Sequence, residues 1–294
     1  MPVHKGIRCN VIIDGSPAIE YSPSMDYITS CVFIAAREGQ RYTIEIEASK
    51  TGSNWHKIFL YVDGRVLVKA GAERIGDKDL EYEIDTVVDG VADSGYVTER
   101  YLEFRKIEVV DEDVKSNQTS DIMIKRLGEI LVNIWRCEEP HSEIKNVSPF
   151  KPKDAQPVSE KSIKGRSLSH CTQLSSQHRD PRPFIVSMYE AKPIDPDDEP
   201  YASFLFRYMS QELLEAQGIA PKPARLIFHG DLRHMDESQK DQEIIRLRKE
   251  LEESRLKIKQ EDEDAGYIAP GVQPAYKKKE KSAAVYIDLT GEDC

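Results

Sequence analysis

Thiols, imidazoles and carboxylates are the side chains that bind metals and carry out most catalysis, and their spacing in this chain is sparse. Five cysteines stand at Cys9, Cys31, Cys137, Cys171 and Cys294, and no two form a CxxC pair. A structural zinc site takes its thiolates in such pairs, so none is expected. His229 and His234 are not four positions apart, and no Glu follows His229. They therefore do not match a zinc-hydrolase helix and read as surface or turn residues. Asp195-Pro196-Asp197-Asp198-Glu199 gathers carboxylates but lacks the Gly and the distal Glu of a calcium loop. A solvated loop is the expectation there. No GxxxxGK[ST] or GxGxxG is present to cradle a phosphate. Trp55 and Trp135 are expected in the core or at its rim, with Trp55, beside His56, also suited to lining a ligand groove. No catalytic residue, metal ligand or cofactor is expected, and the chain does not read as an enzyme.

The end of the chain is more informative. Val285-Tyr286-Ile287-Asp288-Leu289-Thr290 is a run of β-formers, followed by Gly291 and the acids Glu292 and Asp293. A long polar stretch rich in lysine and acid precedes it. β-branched and aromatic residues favour the extended backbone. In a strand, Val285, Ile287 and Leu289 share one face, while Tyr286, Asp288 and Thr290 face the other way or the rim. An Ile-Asp-Leu-Thr core with acidic neighbours looks like a SUMO-interacting motif. Such a segment is disordered when free and binds by adding a strand to the open edge of a ubiquitin-like fold. A few strand hydrogen bonds at about 1 kcal/mol each, less the ordering entropy, give an affinity on the order of micromolar. The competing readings are a last strand folded back on the domain and a chance apolar end.

Two lysine features accompany it. Ile258-Lys259-Gln260-Glu261 fits the hydrophobic-Lys-x-Glu pattern of SUMO attachment, and a solvent-exposed lysine at a helix end would look the same. Lys277-Lys278-Lys279-Glu280-Lys281 reads as a minimal nuclear import signal or as a solubilising linker.

The elements that position these residues follow from periodicity. Tyr42-Thr43-Ile44-Glu45-Ile46-Glu47 alternates apolar and polar residues, which puts one face on a core and the other in water. Strands are also expected at Ile7–Ile13, Cys31–Ala36, Lys57–Val62, Arg65–Lys69, Leu80–Ile84, Tyr101–Val109, Gly128–Arg136, Phe184–Tyr189 and Ala202–Tyr208. Asp14-Gly15 and Asp63-Gly64 are hairpin turns. Ser210–Gly218 is a short helix with Ser210 as N-cap and Gly218 where it stops. Many short strands with turns between them indicate a mainly β fold, a jelly-roll-like β-sandwich. It spans 1–230 and contains a long mobile loop at 146–183, rich in Ser, Lys, Gln and Pro. A charged helix follows at 236–260. Its Ile244, Leu247, Leu251, Ser254 and Ile258 form a short coiled-coil seam at 244–258 that suits a homodimer, a single helix being the alternative. A disordered tail covers 261–294, with the motif at 285–293.

Of 294 residues, 39% are hydrophobic and 32% charged, and the net charge is −11. That charge argues against general nucleic-acid binding and suits basic protein partners. No run is long and apolar enough to span a bilayer, and no secretory signal is recognised. Sparse cysteines fit a reducing compartment, which leaves the sequons at Asn117 and Asn146 unglycosylated. A nuclear or cytoplasmic location is expected, the nucleus being favoured.

Four stretches carry a family resemblance: KGIRCNVIIDG at 5–15, KIFLYVDG at 57–64, LGEILVNIWR at 127–136 and YASFLFRYMSQELLEAQGIAP at 201–221. Together they resemble an uncharacterised family of fungal proteins, a domain of unknown function, over roughly residues 1–230. The resemblance implies a β-rich domain with a charged extension and brings no catalytic residues. The functional expectation is a non-enzymatic interaction protein whose tail binds SUMO or SUMO-modified proteins. The alternatives are a ligand- or carbohydrate-binding sandwich with an incidental tail, and an acidic chaperone-like binder of basic nuclear proteins.

Overall fold

The computed structural model describes residues 2–49, 51–73, 80–91, 96–110, 121–139, 143–144, 157–159, 163–183, 188–189, 191–196 and 199–222, with isolated positions 246 and 249. In chain order the strands are β1 (Val3–His4), β2 (Ile7–Ile13), β3 (Ser16–Pro17), β4 (Glu20–Met25), β5 (Thr29–Ala35) and β6 (Arg41–Ala48). Next come β7 (Trp55–Val62), β8 (Arg65–Glu73), β9 (Leu80–Ile84), β10 (Thr86–Val91), β11 (Tyr96–Lys106) and β12 (Val109–Val110). Helix α1 (Asp121–Lys125) leads into β13 (Glu129–Cys137), β14 (Glu143–Ile144), β15 (Val158–Ser159), β16 (His170–Pro183), β17 (Met188–Tyr189), β18 (Ala202–Met209) and helix α2 (Gln211–Ala216).

The fold is mainly β, with two sheets in a sandwich. One sheet runs β1-β2-β6-β11-β10, with β3 on β2, β9 on β6 and β16 on β11. The other runs β4-β5-β18-β13-β7-β8. Its pairs are antiparallel except β18 with β5, which are parallel. Two two-stranded pieces, β12–β15 and β14–β17, lie outside them.

The alternation in the sequence is the cause of this layering. In β6, Tyr42, Ile44 and Ile46 are buried and Thr43, Glu45 and Glu47 are half-exposed. In β13, Ile130, Val132 and Ile134 are fully buried. With Ile7, Cys9, Ile58, Leu60, Phe204 and Phe206 these residues form one core fed by both sheets. Ring stacking fixes part of it: Tyr42 and Phe104 lie 4.4 Å apart, and Phe104 and Tyr208 lie 4.9 Å apart.

The turns behave as their residues dictate. Asp14-Gly15 and Asp63-Gly64 both have positive φ at both positions, the geometry that matches the twist of a two-residue hairpin. Ser210 caps α2, its hydroxyl accepting from the Leu213 N–H at 3.3 Å. Gly218, at φ 72°, ends the helix in the left-handed region.

The expectation of a long loop at 146–183 needs correction. The stretch His170–Pro183 is the 14-residue strand β16, paired with β11 from Lys106↔His170 to Tyr96↔Pro183. Its polar composition concealed it, because it is an edge strand. Leu174 packs into the shared core, while Ser176, Gln177 and His178 of the same strand are exposed. The register slips between Val97 and Glu99 and between Arg100 and Leu102, and such bulges break the two-residue period that a reader of sequence relies on. The expectations for Asn117, Asn146, Phe184–Ser187, His229, His234, the seam at 244–258 apart from positions 246 and 249, Lys259, Lys277–Lys281 and the tail lie outside the described residues. Among the described residues no helix is long and apolar enough to cross a membrane.

Candidate functional site

The residues singled out in the tail, Val285, Tyr286, Ile287, Asp288, Leu289, Thr290, Glu292 and Asp293, are not among those described. Among the described residues of the domain, polar side chains converge at several places, including the following three, each built by the strands around it.

The first is a buried junction between the sheets. The β7–β8 turn carries Asp63 and Arg65 inward, where they are 3% and 7% exposed. Asp63 Oδ1 accepts from the Gly128 N–H and from the Tyr208 hydroxyl, both at 2.7 Å. Its Oδ2 accepts from the Thr172 N–H at 2.7 Å. Arg65 donates to the Thr172 carbonyl at 2.7 Å and stands 3.6 Å from the Asp63 carboxylate. The Thr172 hydroxyl lies 3.0 Å from both Tyr42 and Tyr208. With Tyr208 donating to Asp63, the hydroxyl chain runs one way, from Tyr42 to Thr172 to Tyr208. Burial pushes the Asp63 carboxyl above its usual range, against the pull of Arg65 and the three donors. Burial also raises the Tyr42 and Tyr208 phenols. Beside this junction lies a cavity of about 30 Å³ whose lining includes Asp63, Arg65, Met123, Leu127, Val158 and Cys171. That is space on the scale of a water molecule or two, not of an organic substrate.

The second is a serine–histidine contact. Ser169 Oγ lies 2.8 Å from His170 Nδ1 and accepts the Ser210 N–H at 2.7 Å. Burial lowers the His170 pKa, which favours the neutral ring beside the serine hydroxyl. The arrangement ties the start of α2 to β16. The serine oxygen already has both partners, and the described cavity is not beside it.

The third is a ladder of alternating cations and rings. The Arg136 guanidinium is paired with Asp195 and lies 4.3 Å from the Tyr201 ring centre. The Lys5 ammonium stands 5.3 Å from the Tyr201 ring and 4.5 Å from the Tyr27 ring. Tyr201 in turn donates to the Lys5 carbonyl at 3.1 Å. Asp195 was expected in a solvated loop; its side chain is instead 9% exposed. The reason is local pairing. Ile194 N–H donates to Arg136 O at 2.8 Å and Glu138 N–H to Lys192 O at 2.9 Å, which lays this segment along the end of β13.

The tryptophans are buried, Trp55 at 9% and Trp135 at 4% exposure. Trp135 donates to the Pro196 carbonyl at 3.1 Å and meets Phe59 edge-on at 5.3 Å. Burial raises the Cys137 thiol to about 11 and the Cys171 thiol to about 12. Cys9 and Cys31 are raised as well. Among the described residues no group of three or more His, Cys, Asp or Glu is placed to hold a metal ion.

The junction was not anticipated. Asp63-Gly64 was read correctly as a turn, and turns are expected at the surface. The arginine directly after the turn was the available signal, because a buried carboxylate needs a cation nearby.

No curated protein and no solved structure matches the chain. One family model does, over residues 6–223, and its span agrees with the β-domain outlined above. The chain belongs to the family of the DUF7918 domain, a domain of unknown function.

Proposed function

We propose that this chain is a non-enzymatic interaction protein, a β-sandwich domain bearing a C-terminal docking strand for SUMO or SUMO-modified proteins, and that it works in the nucleus. The observation that carries the reading is the composition of 285–293. Val285, Ile287 and Leu289 supply one apolar strand face, and Asp288, Glu292 and Asp293 supply acid for a basic rim. Lys277–Lys281 supports nuclear import, and Lys259 is the lysine suited to SUMO attachment. The domain adds support of a different kind. At the junction of the sheets, the buried side chains of Asp63, Arg65 and Thr172 are engaged with one another and with backbone, in the manner of a rigid scaffold.

A sugar- or ligand-binding sandwich has less in its favour, because both tryptophans are buried and the cavity beside Asp63 has a volume of about 30 Å³. The test is a titration of isotope-labelled SUMO with the full chain, followed by NMR. Shifts confined to one sheet edge and its neighbouring helix, absent with Ile287→Ala/Leu289→Ala, are expected. No shifts at high concentration would remove the reading.

A further inference from the structure

The outer face of the six-stranded sheet carries an apolar strip beside a cluster of cations. Val32 on β5, Phe206 on β18, Ile130 on β13 and Val62 on β7 share one register position and are buried in the core. Their chain neighbours Cys31, Leu205, Leu131 and Tyr61 share the next position, and alternation turns them outward. All four are half-exposed. Four strands at a spacing of roughly 4.8 Å make this strip about 14 Å long.

The next outward position along these strands holds Phe33, Arg207 and Glu129. Arg207 and Arg126 share the Glu129 carboxylate, at 3.4 and 3.8 Å. Arg166 donates to the Ile124 and Lys125 carbonyls, which brings its own turn, with Lys164, against the end of α1. Lys125, Arg126, Lys164, Arg166 and Arg207 are all exposed. Among the described residues no carboxylate pairs with Lys125, Lys164 or Arg166. Positive charge is therefore in local excess, in a chain whose net charge is −11. Two of the arginines reach the strip itself. Burial raises the Tyr61 phenol and the Cys31 thiol, and Arg126 and Arg207 respectively pull against it.

The segment 285–293 has the complementary make-up. Val285, Ile287 and Leu289 share one face of an extended chain and span about 14 Å, the length of the strip. Asp288, Glu292 and Asp293 add negative charge beside and beyond that face. The roughly 60 residues between Lys222 and Val285 suffice to reach any point of a domain whose radius of gyration is about 17 Å. We propose that this segment docks in cis across Cys31, Leu205, Leu131 and Tyr61, its acids facing the cations around Arg126 and Arg207. The contact itself does not depend on the SUMO reading, whereas its consequence rests on it: a tail held on the domain is withheld from SUMO. Domain and SUMO then compete for Val285, Ile287 and Leu289, and tethering favours the domain.

The test uses a fluorescent peptide of residues 280–294 carrying Cys294→Ser, read by anisotropy. It is titrated with the full chain carrying Ile287→Ala/Leu289→Ala, whose own tail is disabled. That chain should bind the peptide, and the wild-type chain should bind it at least about fivefold more weakly, because its own segment holds the strip. Lys125→Gln/Lys164→Gln, added to the tail-disabled chain, should weaken binding about fivefold. Lys192→Glu makes the same change in net charge at the far end of β13 and should have no effect. Leu205→Thr keeps a β-branched residue in the strand and should weaken binding as well. No binding by the tail-disabled chain, equal binding by the wild type, or equal losses in Lys125→Gln/Lys164→Gln and Lys192→Glu would each overturn the proposal. Masking that appears only as the protein is concentrated would assign the strip to the tail of a second copy and would also overturn it. The same peptide is titrated with SUMO. Binding to SUMO but not to the tail-disabled chain overturns the docking and leaves the SUMO reading standing, and the opposite result does the reverse.

Discussion

Asp63 and Thr172 stand 109 residues apart in sequence and are joined at 2.7 Å, the Thr172 N–H donating to the Asp63 carboxylate. Arg65 donates to the carbonyl of the same threonine, also at 2.7 Å. A carboxylate and a guanidinium thus offer Thr172 the acceptor and the donor that a neighbouring strand would offer. The hairpin of one sheet thereby closes a position on the edge strand of the other. An open strand edge invites pairing with other chains, and side chains that occupy it remove the invitation.

This junction makes Asp63 the most sensitive polar position of the domain. Asp63→Ala leaves the Gly128 and Thr172 N–H groups and the Tyr208 hydroxyl without an acceptor, and it leaves Arg65 buried without its counter-charge. The expected loss is about 3–5 kcal/mol in urea unfolding. Asp63→Asn tolerates the same positive φ, so its loss reports on the side chain alone. It should rescue only part of the stability, because the amide NH₂ faces donors. Recovery to the wild-type midpoint would refute this account.

Two glycines separate backbone strain from crowding. Gly128 has φ 81°, and a Cβ there would meet Leu168 Cδ2 at 3.2 Å and Tyr208 O at 3.3 Å. Gly15 has φ 76° and open space around the same point. Gly15→Ala should cost on the order of 1 kcal/mol from the left-handed backbone alone. Gly128→Ala should cost about 1 kcal/mol more, because backbone cannot give way as a flexible side chain can. Equal shifts in melting temperature would show that the crowding is relieved at no cost.

Acid should loosen the hold of β16 on α2. Burial lowers the His170 pKa below its ordinary value near 6.5, with Lys106 acting in the same sense and Glu38 and Glu212 opposing. The folded state therefore binds the proton less readily than the unfolded chain does. The stability it contributes is present above about pH 6.5 and is lost as pH falls through the lower, folded pKa. Melting temperatures should drop from pH 7.5 to pH 5.5 more steeply in the wild type than in His170→Gln. Parallel profiles would assign the acid sensitivity to other groups.

Thiol labelling tests the burial of the cysteines. Cys9, Cys137 and Cys171 are buried with raised pKa values, so almost none is thiolate at neutral pH. In a Cys294→Ser background, these three should resist a disulfide reagent at pH 7.5 until denaturant is added. Cys31, half-buried with a smaller rise, should react slowly. Rapid native labelling of Cys137 or Cys171 would mean that the β13 end or the β16 edge opens readily.

The strands β2, β6, β7, β8, β13 and β18 were legible within a residue or two, apart from the far end of β8. Their alternation is a local record of which face meets the core. The Asp-Gly turns and the Ser210 cap were legible for the same reason, each being decided by the φ preference or hydrogen-bonding reach of one or two residues. The strand β4 escaped, its edge position being broken by Pro23 and by Ser22 at φ 46°. The strand β16 escaped because its partners sit on β11, far back in the chain. The composition of the tail at 285–293 is likewise a property of the sequence alone.

Local periodicity determined which residues face inward. Tertiary structure alone decided which inward or outward residues meet. That Asp63 reaches Thr172, that Arg136 lies between Asp195 and Tyr201, and that Glu45 opposes Glu83 all depend on strand order and register. Register is a relation between distant segments, set by how two sheets share one core, and no short window of sequence contains both members of the pair.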